Sequence, residues 1–200
     1  MQPLRQLEGP AAVLRLDNVD TDQILPARYL KVPRAEGLGE YLFRDLRVAA
    51  DGAVREDFPI RPGATVLIAR RAFGVGSSRE AAVYALVDFG IRCVVATSFG
   101  DIFAGNAVSN GLLTAVISED QIEALSRAAE TTGHARVDLE ACTIASAELS
   151  LPFAIEPVRR IKLLNGWDDL DLTQTYAEAI GDFATRDQAL RPWARPTRQG

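Results

Sequence analysis

Residues 64–99 constrain the fold more than any other stretch of this chain. "ATVLIARRAF" (64–73) is an apolar run rich in β-branched residues, with the length of a buried strand, and "RCVVATSF" (92–99) is a second. Between them lies "FGVGSSREAAVYALVDFG", a glycine loop opening onto an amphipathic stretch. There Ala81, Ala82, Ala85, Leu86 and Phe89 recur at helical spacing, and Gly90 ends the run. Two strands joined through a helix pair in parallel, so this segment predicts an α/β fold built around a parallel crossover.

The flanking segments extend that unit. "AAVLRL" (11–16) predicts a strand, followed by the polar turn "DNVDTDQILP" (17–26), which closes on proline. From Ala27 to about Asp57 the pattern weakens around Pro33, Gly37 and Gly39, and an irregular excursion is expected. "DIFAGNAVSNGLLTAVI" predicts a short helix, a break at Asn110–Gly111 and a third apolar strand. "SEDQIEALSRAAE" (118–130) predicts a helix with Ser118 and Gln121 as its capping box. "ARVDLEACTIASAELSLPFAI" predicts a β-meander or hairpin, and residues 172–190 a C-terminal amphipathic helix. The expectation is one α/β domain over residues 1–190, with 191–200 as a flexible tail.

Composition narrows the function classes. A net charge of −5 with scattered basic residues argues against nucleic acid as a partner. No apolar run approaches the roughly 20 residues that span a bilayer, and "MQPLRQLEGP" lacks the apolar core of a signal peptide. Cys93, inside "RCVVAT", reads as a buried thiol, and Cys142 is distant in sequence. With no Cys-x-x-Cys and a single histidine, the chain is not expected to bind a metal or cluster itself. With reduced cysteines expected, the cytoplasm is the expected compartment. His134 reads as a solvated loop residue, and Trp167 and Trp193 as local packing.

The chemistry concentrates in the glycine loop. A strand that runs through glycines into a helix N-terminus presents N–H groups and a dipole to an anion. Gly74 and Gly76 permit close backbone approach, Arg79 supplies a two-pronged carboxylate grip, and Ser77 sits where it could transfer a proton. The plain alternative is that Ser77 and Glu80 form a capping box while Arg79 faces water. A dinucleotide fingerprint would need glycine at Arg79, and a Walker loop would need Gly-Lys-Ser/Thr; neither is present. Upstream, Asp17, Asp20 and Asp22 lack the glycine and glutamate of a calcium loop. Asp17 and Asp20 read instead as turn residues that bond their own backbone.

Taken together, "DNVDTDQILPARYLK", "GLGEYLFRDLR", "FGVGSSREAAVYALVDFGIRCVVATSFGDIF", "NGLL" and "LLNGWDDLDLTQTYAEAI" resemble, in order, the small-subunit family of 3-isopropylmalate dehydratases in the aconitase superfamily. The resemblance implies a mobile β/β/α swivel domain that docks on a separate large subunit carrying a [4Fe–4S] cluster. It implies a hydro-lyase that shifts a hydroxyl between adjacent carbons of a 2-alkylmalate, a small dicarboxylic acid, in leucine biosynthesis. Ser77 would be the base, Asp22 would support proton handling, and Thr21 and Gln23 would lie behind Asp22. Arg79 would bind a substrate carboxylate, with Gly76 and Ser78 completing the binding loop. Leu30 and Val32 would line a pocket for the alkyl group, with Arg34 beside them.

The chain departs from the family pattern at Ala81, where histidine is usual, and at Val75, where cysteine is common. It departs again at Gly105, within what is often an asparagine pair ending at Asn106, and at Val32, where a basic residue is usual. A paralogue acting on citraconate, 2-methylmalate or dimethylmaleate is the alternative enzyme. A non-catalytic anion-binding module is the alternative of another class.

Overall fold

The computed structural model describes residues 1–49 and 51–194. Among the described residues seven strands form one sheet: β1 (Gln6–Leu14), β2 (Val66–Ala69), β3 (Cys93–Ala96), β4 (Leu113–Val116), β5 (His134–Asp138), β6 (Thr143–Ser146) and β7 (Leu149–Pro152). Their order is β4-β3-β2-β1-β5-β6-β7. The strands β1 to β4 pair in parallel, and β5, β6 and β7 pair antiparallel. β1 belongs to both halves, running parallel to β2 on one side and antiparallel to β5 on the other. Past β7 the chain returns to the far edge, where Val116 and Ala154 exchange backbone hydrogen bonds of 3.0 and 2.8 Å. That bridge curls the sheet.

The described residues also form eight helices: α1 (Thr21–Ile24), α2 (Arg44–Arg47), α3 (Ala81–Phe89), α4 (Asp101–Ser109), α5 (Glu119–Thr132), α6 (Pro157–Asn165), α7 (Asp169–Gln174) and α8 (Ala177–Leu190). Every residue of β2 and β3 is buried, which is why these strands read as continuous apolar runs. Val66, Ile68, Cys93 and Val95 face a core shared with Leu125 of α5 and Ile144 of β6. Leu67, Ala69, Val94 and Ala96 face the other core, shared with Leu86 of α3, with Leu42 and Phe43 of the excursion and with Ile60 beyond it. Each such fully buried aliphatic side chain contributes about 1.5–3 kcal/mol, so both faces must be covered for the parallel half to hold.

The parallel crossover, the break after α4, the Ser118 capping box and the meander stand where the sequence placed them. Gly90 ends α3 at φ +113°, a backbone that glycine adopts without strain. Other readings change. β1 starts at Gln6, five residues before the predicted strand, because it gains β5 as a partner over its first half. The excursion holds three single 3₁₀ turns and α2. α6, begun by Pro157 and ended by Gly166 at φ +70°, was not predicted. The predicted 172–190 helix is two, because Asp168 caps α7 by accepting from the N–H groups of Leu170 and Asp171 and the chain turns at Thr175–Tyr176.

His134 is exposed as expected but opens β5 rather than lying in a loop. Trp193 is 78% exposed, against the expected local packing, because it follows a helix that buries none of its own residues. Residues 192–194 form a 3₁₀ turn, and the remainder of the expected tail, 195–200, lies outside the described residues. Cys93 is fully buried, and burial pushes its thiol far up, so it stays protonated.

Candidate active site

β1 and β2 are parallel neighbours, so the chain leaves both at the same edge of the sheet. Carboxyl ends of parallel strands are where α/β folds gather their ligand-binding loops. Here that edge brings residues 17–23 against the glycine loop. The N–H groups of Gly74 and Val75 donate to the Val19 carbonyl at 2.7 and 3.3 Å, and the Thr21 N–H donates to the Val75 carbonyl at 2.9 Å. Gly74 is obligatory at this crossing. Its φ is +73°, and a Cβ there would lie 2.2 Å from the Phe103 ring.

Beyond Gly76, at φ +100°, Ser77 turns toward α1. Its Oγ lies 2.9 Å from Oγ1 of the buried Thr21, and its N–H donates to the same oxygen at 3.3 Å. Thr21 thus accepts from the Ser77 backbone and keeps its own O–H available to donate to Ser77 Oγ. The capping alternative fails here. α3 begins at Ala81, preceded by Glu80 in a helical conformation with no side-chain cap, so Ser77 lies too far upstream to serve. Glu80 accepts instead from Asn110 Nδ2 at 2.7 Å. No side chain caps the helix's first turn; the Ala82 and Val83 N–H groups donate to the Arg79 and Glu80 carbonyls at 3.4 and 2.9 Å.

Arg79 and Asp22 form an ion pair between the two segments. Their side chains are 30% and 55% exposed, so the pair is worth at most about 1 kcal/mol and exchanges readily for another carboxylate. The Ser78 carbonyl accepts from Asn106 Nδ2 at 3.4 Å. Ser77, Ser78, Arg79, Gly76 and Asp22 therefore share one edge of the sheet, as do Thr21 and Asp20. Gln23 departs from the reading that set it behind Asp22. It closes a capping box with Asp20, whose carboxylate accepts from the Gln23 N–H at 2.7 Å. Asp20 thus bonds local backbone as expected, whereas Asp17 reaches across to Arg70 and Arg71.

The residues expected around the alkyl group are more dispersed. Val32 is half-buried against the core, while Leu30 is 42% exposed. Arg34 is stacked over the Tyr84 ring, 3.6 Å from its centroid, and donates to Asn110 Oδ1 at 3.2 Å. Tyr84 and Asn110 were missed as partners of this loop. Asn110 carried only a helix-break signal, and Tyr84 an ordinary place in an amphipathic stretch. Among the described residues, no three His, Cys, Asp or Glu side chains gather where they could hold a metal ion. No described helix is long and apolar enough to cross a membrane.

Comparison with known proteins agrees with this architecture. Residues 1–120 match the family described as the aconitase C-terminal domain. The 3-isopropylmalate dehydratase small subunit of Rhodospirillum centenum is 48% identical over 201 residues, covering 97% of this chain and 99% of the relative. That of Caulobacter vibrioides is 44% identical over 199 residues, covering 96% and 98%. A crystal structure of 3-isopropylmalate dehydratase from Methanocaldococcus jannaschii superposes with a TM-score of 0.66 at 26% identity, covering 88% of this chain and 99% of that one. The curled mixed sheet, the paired strand-end loops and these full-length matches place the chain in the 3-isopropylmalate dehydratase small-subunit family of the aconitase superfamily.

Proposed function

We propose that this chain is the small subunit of a hydro-lyase that interconverts 2-isopropylmalate and 3-isopropylmalate through 2-isopropylmaleate, in leucine biosynthesis in the cytoplasm. The observation that carries the reading is the meeting of Ser77 with Thr21, and of Arg79 with Asp22, at adjacent strand ends. A binding module that only held anions would need Arg79 but not a hydroxyl pair beside it. Family membership over the whole length supports the same reading.

Abstracting a proton from a carbon beside a carboxylate builds negative charge, which cations and N–H donors must offset. Ser77 would take that proton at Oγ. A free serine is far too weak an acid to serve as an alkoxide, so the site must stabilise the anion. The Thr21 hydroxyl, buried and 2.9 Å from Ser77 Oγ, would donate to it. Arg79 would exchange Asp22 for a substrate carboxylate, freeing Asp22 to hold a proton near the reacting carbon. Gly76 and Ser78 would let the substrate approach the loop backbone, and Leu30 and Val32 would meet its alkyl group. Residues 1–190 would act as one swivelling body against a large subunit.

A [4Fe–4S] cluster fits poorly on this chain, whose two cysteines are Cys93, sealed in the core as a thiol, and Cys142, distant from it in sequence. The cluster would belong to the large subunit, where it would supply the Lewis acid that turns the hydroxyl into a leaving group.

The test is reconstitution. The purified chain should show no hydration of 2-isopropylmaleate, and addition of a cognate large subunit should restore it. The restored complex should prefer 2-isopropylmaleate over citraconate and accept cis-aconitate poorly, measured as kcat/KM. Activity from this chain alone would contradict the subunit reading, and a preference for citraconate would reassign it to a paralogue.

A further inference from the structure

We propose that Asn110 selects among substrates at a distance, by holding Arg34 of the 27–37 loop on the face of Tyr84. The inference rests on the dehydratase reading above and deepens it. Asn110 stands at the end of α4, where its amide is fully engaged. Nδ2 donates to Glu80 Oε1 at 2.7 Å and to the Asn106 carbonyl at 2.9 Å, and Oδ1 accepts from Arg34 Nη2 at 3.2 Å. One side chain thus ties together α4, the residue that opens α3 and the loop carrying Leu30 and Val32. A carboxylate here would keep the acceptor for Arg34 but repel Glu80; an amide satisfies both.

Asn106, one turn earlier on the same face of α4, reaches the Ser78 carbonyl in the same way. The asparagine pair therefore braces the anion loop and the excursion against one helix. The guanidinium of Arg34 is held on one face, stacked 3.6 Å from the Tyr84 centroid, and through Nη2, which donates to Asn110. A cation tethered in this way would be held back from a third carboxylate. Release of Arg34 would give the site a mobile positive charge, which suits a tricarboxylic acid better than an alkyl-bearing diacid. Asn110 touches Arg34 rather than substrate, so its role is that of a positioning residue.

The experiment uses the reconstituted two-subunit enzyme with 2-isopropylmaleate and cis-aconitate, together with amide hydrogen exchange of the full-length small subunit. Asn110→Ala should raise KM for 2-isopropylmaleate about tenfold, the size expected for losing a hydrogen bond to a charged group, with kcat little changed. The ratio of the two kcat/KM values should move toward cis-aconitate. In an Arg34→Ala background the same substitution should leave that ratio unmoved, because the cation it restrains is gone. Exchange should accelerate at the amides of Leu30, Val32, Glu36 and Gly37, which close the loop's own turns. If Asn110→Ala does not fold, Tyr84→Leu releases Arg34 from its other side and should shift the ratio the same way.

Equal ratio shifts with and without Arg34 would overturn the proposal. So would an unchanged KM together with unchanged exchange in a complex that turns over normally. A wild-type complex inert toward both acids, with loop exchange still responding to Asn110→Ala, would reject the dehydratase reading and leave the tether standing.

Discussion

The two halves of the sheet differ in how their strands are connected, and nearly all the candidate chemistry lies in one of them. In the parallel half, β1 and β2 release their chains at the same edge, so residues 17–23 and 74–80 meet although more than fifty positions separate Thr21 from Ser77. In the antiparallel half, β5, β6 and β7 are joined by tight turns that alternate between the two edges. No two of those connections are forced together, and the short loops hold their own backbone. Asp138, for example, accepts from the Ala141 N–H at 2.8 Å. Parallel pairing is therefore what turns two ordinary polar loops into a site.

This contrast can be broken by substitutions matched between the halves. Arg79→Lys, on the parallel side, should have the larger effect on turnover. A point charge does not reproduce the guanidinium fork, and kcat/KM in the reconstituted complex should fall about tenfold to a hundredfold, mainly through KM. Circular dichroism should show the fold intact, because the pair with Asp22 is exposed and weak. Loss of the fold would make Arg79 a structural residue and remove it from the site. Ile144→Ala, on the antiparallel side, should do the reverse. Ile144 is fully buried, so urea unfolding should show a loss of about 2–5 kcal/mol. Turnover per folded molecule should not change, and a substantial drop would show that the meander reaches the reacting groups.

Local signals carried most of the parallel half. Continuous apolar runs marked β2 and β3, Gly90 marked the end of α3, and Ser118 with Gln121 marked the start of α5. The candidate site was legible only in part, because its defining contacts are not local. Ser77 and Glu80 carry capping-box spacing, yet the structure uses Ser77 to meet Thr21 and Glu80 to meet Asn110. A short-range pattern cannot show that a residue is claimed by a partner from another strand end. The same applies to Arg34, whose stack on Tyr84 spans fifty positions. α6 escaped for a different reason. Its Pro157 and Gly166 are ordinary start and stop signals, but Arg159, Arg160 and Lys162 interrupt the apolar stripe between them. Lys162 is in fact buried and paired with Asp169, a compensation that becomes visible only in three dimensions.

If the hydroxyl that the parallel half holds at Ser77 takes the substrate proton, its removal should lower turnover steeply without disturbing assembly. Ser77→Ala should be compared with the wild type in complex with the large subunit, measuring turnover of 2-isopropylmaleate and the affinity between subunits in the same preparation. Removal of a positioned proton-transfer group should lower turnover by about 10²–10⁴-fold while association is unchanged. An unaltered rate at normal association would contradict the account and reduce the Ser77–Thr21 contact to a structural link between two loops.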